Sequence, residues 1–395
     1  MSRVRFAADL INGFAFESSD FVREESSSTI PLVRVRDVRG DKFETFIERS
    51  KVSPQSLIRD GDVVIGMDGD FNSVLWSRGS AALNQRVCLI RVEDLELAKF
   101  ISYVIPSELQ AINEVSFFTT VKHLSSDQVL NLHLPEFGKG EMLSLVNYLD
   151  RETAEIDSMR AELDSIEALL VERRSSIVRT HLLPEEGAYT RIKLVADVSL
   201  GKTVQSEQKR SEEVQRNYVR AAHIQPHGQL VLDDQMMWFT RQELEQLTLC
   251  EGDVLVVEGG AGYGRSVVLD EDMPDWGFQN HVVRVRPSPK AIGQFVHFTI
   301  LAHYSAGLID TMAAGATIPA LSSDKVRELP ILSVDIDTQR RIAEEVKRDT
   351  SEIDSMLADI KELRGLLAER RSALITAAVN GQIDIPATAS ATTKD

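Results

Sequence analysis

One stretch of this chain occurs twice. Residues 149–177 and 346–374 align without a gap at a shift of 197 positions. Ile156-Asp157-Ser158-Met159 returns as Ile353-Asp354-Ser355-Met356, and Glu172-Arg173-Arg174-Ser175 as Glu369-Arg370-Arg371-Ser372. A self-match of this length is an internal repeat. Both copies carry a heptad. Leu149, Ile156, Leu163, Leu170 and Ile177 fall seven apart, as do Val346, Ile353, Ile360, Leu367 and Leu374. A second row sits three residues later, Met159 and Ile166 in one copy, Met356 and Leu363 in the other. These spacings predict one apolar face per helix and a coiled-coil seam. A helix of roughly 40 residues spans about 60 Å and cannot bury its stripe alone. The economical expectation is that the two helices pair on each other. Pairing with another subunit, or covering the helix's own globule, is the alternative.

The chain is also too long, at 395 residues, for one ordinary core. We place a first globule at 1–138, a helical spacer at 139–183, a second globule at 184–334, a second spacer at 335–386 and a disordered tail at 387–395. Pro184 ends the first helix, and Asn380-Gly381 caps the second. In the first globule, short β-rich runs such as Pro31–Arg36, Asp62–Ile65 and Asn84–Val92 alternate with Asp-, Gly- and Ser-rich turns, and Phe100–Asn113 has helical character. The second globule answers in outline: Tyr218–Ile224, Gly252–Val256 and Gln279–Val285 are strand-like, Glu258–Arg265 is the matching glycine-rich loop, and Leu321-Ser322-Ser323-Asp324 answers Leu124-Ser125-Ser126-Asp127. The helices match closely while the globules do not. One scaffold therefore carries two different surfaces. The fold class expected is α+β, two similar globules separated by long helices.

At this point the chain resembles the specificity subunit of a Type I restriction–modification system. The resemblance rests on Leu321–Pro330, Gln339-Arg340-Arg341-Ile342-Ala343, Glu352-Ile353-Asp354, Glu369–Thr376 and Gly381-Gln382-Ile383-Asp384, with Leu124–Asp127, Asp150–Asp157 and Glu172–Ser175 in the first copy. It departs once: Gly140-Glu141-Met142-Leu143 stands where a pair like Gln339-Arg340 is usual. The resemblance implies two target-recognition domains held apart by an antiparallel coiled coil with near two-fold symmetry. Each would read one half of a split, asymmetric sequence in double-stranded DNA. It implies two methyltransferase (M) subunits docked on the helices and restriction (R) subunits joining them. Adenine methylation with S-adenosylmethionine, and cleavage driven by ATP with Mg, would belong to those partners; this chain would be non-catalytic and hold no cofactor.

The residues themselves carry little catalytic chemistry. Gly201-Lys202-Thr203 looks like the end of a P-loop, but Ala196 stands where its first glycine belongs. Gly259–Gly264 is followed by Arg265, not the last glycine of a dinucleotide fingerprint. Asp197 with Glu207-Gln208-Lys209 has the bare spacing of a metal-dependent nuclease in what reads as a solvated run. The eight histidines show no metal spacing, and Cys88 and Cys250 make no disulfide framework. No apolar run approaches a membrane span and no signal peptide opens the chain, so it reads as cytoplasmic, with no membrane partner. The net charge is −17, and every segment through 386 is acidic, so DNA contact would need local patches, with Arg34, Arg36, Arg284 and Arg286 as examples. Arg and Lys grip guanine, and Asn and Gln grip adenine. On that basis the base-contact candidates are Arg34, Arg36, Asn72, Arg78 and Gln85 in the first globule, and Arg220, His223, Tyr263, Arg265, Asn280 and His281 in the second. The acidity also suits an alternative, a decoy that occupies methyltransferase subunits without reading DNA.

Overall fold

The computed structural model describes residues 2–40, 42–115, 122–260, 262–313 and 320–385. The tail expected from 387 lies outside the described residues. Contacts gather the chain into two compact units, Met1–Ala161 with Arg364–Asp395, and Glu162–Leu363. The division passes through both long helices, so each unit holds one globule and part of each helix.

In the first unit the strands of the two main sheets are β1 (Asp9–Asn12), β2 (Thr29–Val33), β3 (Phe46–Glu48), β4 (Leu57–Ile58), β5 (Val63–Gly66), β6 (Ser73–Leu75), β7 (Ala81–Leu83) and β8 (Val87–Arg91), followed by helix α1 (Leu95–Val115). They form an antiparallel sheet in the order β1-β8-β5-β6 and a mixed sheet in the order β3-β2-β7-β4, with β2 and β7 parallel. Strand β5 is buried throughout because both its faces are covered. Its period of two sorts the side chains. Val63 and Ile65, with Cys88 and Ile90, pack under Ile101 and Ile105 of α1. Val64, with Val87 and Leu89, packs instead against Val33, Leu83 and Trp76.

The second unit repeats this plan except for β4, which has no counterpart in it. The strands of its two main sheets are β9 (Ala196–Leu200), β10 (Val214–Val219), β11 (Met236–Phe239), β12 (Val254–Val257), β13 (Ser266–Val268), β14 (Trp276–Phe278) and β15 (Val282–Pro287), followed by α2 (Gly293–Ser305). The sheets run β9-β15-β12-β13 and β11-β10-β14, with β10 and β14 parallel. Val254, Val256, Val283 and Val285 face Phe295 of α2, while Leu255, Val257 and Val282 face Val219 and Phe278. An ion pair recurs in the same place. Asp62 accepts from Arg91 at 2.6 Å and from the backbone N–H of Arg59 at 2.7 Å. Asp253 accepts from Arg286 at 2.6 Å and from the N–H of Cys250 at 2.9 Å.

Two expected strands end early. The run Pro31–Arg36 leaves the sheet at Val33, and Tyr218–Ile224 leaves it at Val219; Val35–Asp37 and Ala221–His223 are single 3-10 turns. Each is fixed by a side chain three residues on. The Asp37 carboxylate accepts from the Arg34 N–H at 3.0 Å, and His223 Nδ1 accepts from the Arg220 N–H at 3.2 Å.

The long helices are α3 (Lys139–Leu182) and α4 (Ile336–Val379). The departure at Gly140–Leu143 does not interrupt α3, because Glu141 turns back to accept from the Gly138 N–H at 2.8 Å. Asp335 accepts from the Thr338 N–H at 2.7 Å and caps α4. Gly381, with φ of 68°, ends it in the left-handed conformation. In the first unit Leu145, Val146 and Leu149 of α3 share a core with Ala378 and Val379 of α4. In the second, Val178 and Leu182 share one with Ile342, Ala343 and Val346. The Leu149/Ile156 and Val346/Ile353/Ile360 rows are buried, while Leu163, Leu170, Ile177, Leu367 and Leu374 are half-buried. The second row is a correction. Met159, Ile166, Met356 and Leu363 are 36–47% exposed. The inner row falls four residues after the first instead, at Thr153, Arg174, Thr350, Leu357 and Arg371. Its polar members hid it from an apolar count. No described helix is long and apolar enough to cross a membrane.

Candidate nucleic-acid interface

At one end of the four-stranded sheet in each unit, a turn and a hairpin loop meet on the same backbone frame. In the first unit the Asn84 N–H bonds Val33 O at 3.2 Å, Val87 N–H bonds Asn84 O at 2.9 Å, and Met67 N–H bonds Arg86 O at 2.9 Å. In the second, Gln279 N–H bonds Val219 O at 3.0 Å, Val282 N–H bonds Gln279 O at 2.9 Å, and Glu258 N–H bonds His281 O at 3.0 Å. Gly13 and Gly201 lie against these turns. A Cβ at Gly13 would sit 1.9 Å from Asn84 O, and one at Gly201 2.2 Å from Gln279 O. Both positions therefore require glycine for close approach. On this frame Gln85 answers Asn280, Arg86 answers His281, and Phe14 answers Lys202. The backbone is shared and the side chains differ.

Several candidates stand on this frame with free polar groups. Gln85 is exposed, and Asn72 and Asn280 are half-buried. None of their side-chain amides makes a hydrogen bond among the described residues. His281 is 61% exposed and 3.8 Å from Glu258. Arg36 is equally exposed, but donates to Glu44 at 2.8 Å.

Other candidates are bound up in the scaffold. Arg34 is held by Asp37 through Nε at 3.1 Å. Arg78 lies 4.0 Å over the Trp76 ring and donates to the carbonyls of Asp37, Val38 and Gly40. Arg220 is paired with Asp233. His223 is 3% exposed; its Nδ1 accepts from Arg220 N–H, and its Nε2 lies 2.9 Å from the Asp233 carboxylate. Burial holds its pKa below the ordinary value against the opposing pull of Asp233. The Tyr263 hydroxyl donates to Asp310, and that bond to a carboxylate pushes the phenol up to about 12. Among the described residues Arg265 makes no side-chain hydrogen bond or ion pair, yet it lines a cavity of about 200 Å³ with Val171, Arg174, Val178 and Tyr304.

The expected patch at Arg284 and Arg286 is also corrected. Arg284 is 4% exposed and donates to the carbonyls of Gln246 and Thr248, and Arg286 grips Asp253. Charge patterning alone could not distinguish a paired internal arginine from a phosphate contact. Two frame residues escaped the sequence reading. Arg86 is 57% exposed beside Asp68 and His123, and Phe14 is 56% exposed. Aligning the two turns on Gly13 and Gly201 would have found both. Lys202, the P-loop look-alike, donates to Glu243 at 2.6 Å. Among the described residues no three or more His, Cys, Asp or Glu could hold a metal.

No protein-family model matches the chain. Its curated homologues are specificity subunits of Type I restriction enzymes. It is 36% identical over 172 residues to that of EcoBI from Escherichia coli, covering 43% of this chain and 36% of that protein. It is 19% identical over 409 residues to that of StySPI from Salmonella potsdam, covering 95% of this chain and 87% of that protein. The chain thus spans about a third of the length of the EcoBI subunit it matches. Among solved structures, it matches with a TM-score of 0.62 and 15% identity, over 97% of each chain, a protein described under "Structural basis underlying complex assembly and conformational transition of the type I R-M system". At that identity the likeness is one of fold.

Proposed function

We propose that this chain is the sequence-reading, non-catalytic subunit of a Type I restriction–modification complex. The observation that carries the reading is the combination of repeat and divergence. The two units share one backbone frame, yet present Phe14, Gln85 and Arg86 in one place and Lys202, Asn280 and His281 in the other. A duplicated scaffold with unlike tips suits the recognition of two unlike half-sites in double-stranded DNA. Each globule reads one half, with the 1–138 and 184–334 segments as target-recognition domains. The antiparallel helices, 139–183 and 335–386, fix the gap between the halves and dock two methyltransferase subunits, to which restriction subunits are added. S-adenosylmethionine, ATP and Mg act on those partners. The specificity-subunit homologues support this assignment.

The test is an exchange. Residues 184–334 are replaced by the matching segment of a relative, and the methylated motif is read by sequencing host DNA. One half of the motif should change and the other persist. A change in both halves, or in neither, would remove the one-globule, one-half assignment. No new methylation with intact binding of partner subunits would favour a decoy.

A further inference from the structure

Phe14 is a large apolar side chain held out from the molecule at a place where polar groups read. Its ring is 56% exposed and touches Phe16 edge-on, with centroids 5.1 Å apart. Phe16 in turn packs against the core of Ile30, Leu32, Ile47 and Ala82. The Phe14 N–H bonds Leu83 O at 2.9 Å, and Phe14 bridges Asn84 backbone to backbone. The close approach of Gly13 to Asn84 O fixes Phe14 beside the 84–86 turn. Phe14 is therefore rigid at its base and open at its face, next to the exposed Gln85 amide. Nearby, Asn12 accepts from Ser126 at 2.8 Å, and Arg86 is drawn to Asp68. The equivalent position in the second unit is Lys202, whose amine is drawn inward to Glu243. At this position the apolar tip belongs to the first unit, although Leu200, next to Gly201, is 41% exposed in the second.

Exposing an aromatic ring costs free energy that burial would recover. Beside an amide suited to adenine, the apolar feature of the major groove that would cover it is the thymine 5-methyl group. We propose that Phe14 is a specificity-determining residue of the first half-site that packs on a thymine methyl, with Gln85 bonding adenine in the same or the adjoining pair. The inference rests on the DNA-reading assignment above.

The test is a cycle between protein and DNA, made on the chain assembled with its methyltransferase subunits. Synthetic duplexes carry the methylated motif with each thymine replaced in turn by deoxyuridine, which removes only the methyl. For one thymine of the first half-site, wild type should lose about fivefold in affinity, the scale of one buried methyl group. Phe14→Ala should bind the thymine duplex about as weakly as wild type binds the deoxyuridine duplex, and lose nothing more on substitution. Phe14→Leu, which keeps an apolar tip, should restore part of the difference and guards against misfolding. Equal losses in wild type and Phe14→Ala, a first half-site without an A·T pair, or coupling to the second half-site would each overturn the inference while leaving DNA reading intact. Failure of wild type to distinguish its motif from random duplex would overturn both together.

Discussion

At the residue scale the two units differ in how they hold histidine. His297 is fully enclosed in the second unit, 2.9 Å from the Ser266 hydroxyl. Burial, with a smaller push from Arg174, lowers its pKa to about 3. Burial also lowers His303, whose Nε2 donates to Pro330 O at 2.7 Å, and His223. In each case the folded pKa lies below that of the unfolded chain, so the unfolded chain takes the proton first. The stabilisation is complete above about 6.5 and is lost as pH falls from there, for His297 at about 1.4 kcal/mol per pH unit. For His297 the loss continues to about 3. We expect His297→Asn to lower stability at pH 8 and to make its decline between pH 6.5 and 4.5 shallower than in wild type. Urea titrations across that range measure it, and parallel declines would mean that the imidazole is free to protonate in the folded chain. Neither the enclosure of His297 nor the inward turn of Arg284 was legible in the sequence. Both depend on which face of a helix or strand meets the core, and a polar residue on an apolar face looks like any surface residue until its partners are placed. Gln85 and His281 are different. They belong to turns between apolar runs, and a turn reports its own exposure.

At the element scale the repeat has a physical meaning that the heptad count alone missed. Arg174 donates to Asp354 at 2.6 Å in the second unit. Arg371 donates to Asp157 at 2.8 Å in the first. These are the same two positions of the repeated motif, exchanged between helices by the shift of 197. The most conspicuous words of the repeat, Ile-Asp-Ser-Met and Glu-Arg-Arg-Ser, thus meet each other across the helix pair in each unit. The apolar heptad predicted that the helices have a face, and the buried Leu149, Ile156, Val346 and Ile353 agree. It could not show that the second inner row carries Thr153, Thr350 and the two arginines, because a search for apolar period discards charged residues. Such a pair fixes register, since a shift of one turn leaves a half-buried arginine without its carboxylate. The two copies also differ in burial. Arg174 is 12% exposed, and Arg371 32%. A double-mutant cycle on Arg174→Ala and Asp354→Ala should give a coupling of about 1 kcal/mol, and the same cycle on Arg371 and Asp157 a smaller one, because solvent screens the more open pair. Additive losses in both cycles would leave register to the apolar rows alone.

At the scale of the whole molecule, charge bears on how the chain would meet DNA in the proposed role. It carries 44 lysines and arginines against 61 aspartates and glutamates. Affinity for a duplex comes largely from neutralised phosphates, and base contacts supply discrimination only once the register is held. The arginines packed around each frame and along the helix contacts are already engaged. Arg91, Arg284 and Arg286 are spent on Asp62 and on the frame around Asp253, Arg34 on Asp37, Lys202 on Glu243, and the helix arginines Arg174 and Arg371 on their aspartates. Even the exposed Arg36 and Arg86 sit beside Glu44 and Asp68. Screening over about 8 Å at physiological salt hides distant carboxylates from a phosphate, but not these neighbours. The two frames therefore offer amides, an imidazole and an aromatic ring, groups that in the proposed role would discriminate bases and contribute little attraction at long range. We expect the isolated chain to bind its own motif only weakly at physiological salt, and to bind tightly once methyltransferase subunits close around the duplex and contribute the phosphate contacts. Fluorescence anisotropy with and without those subunits measures the difference. Nanomolar binding by the chain alone would mean that its remaining cations converge on one face and suffice. Binding that stays undetectable with partners present would mean that the acidic surface acts in place of DNA, not on it.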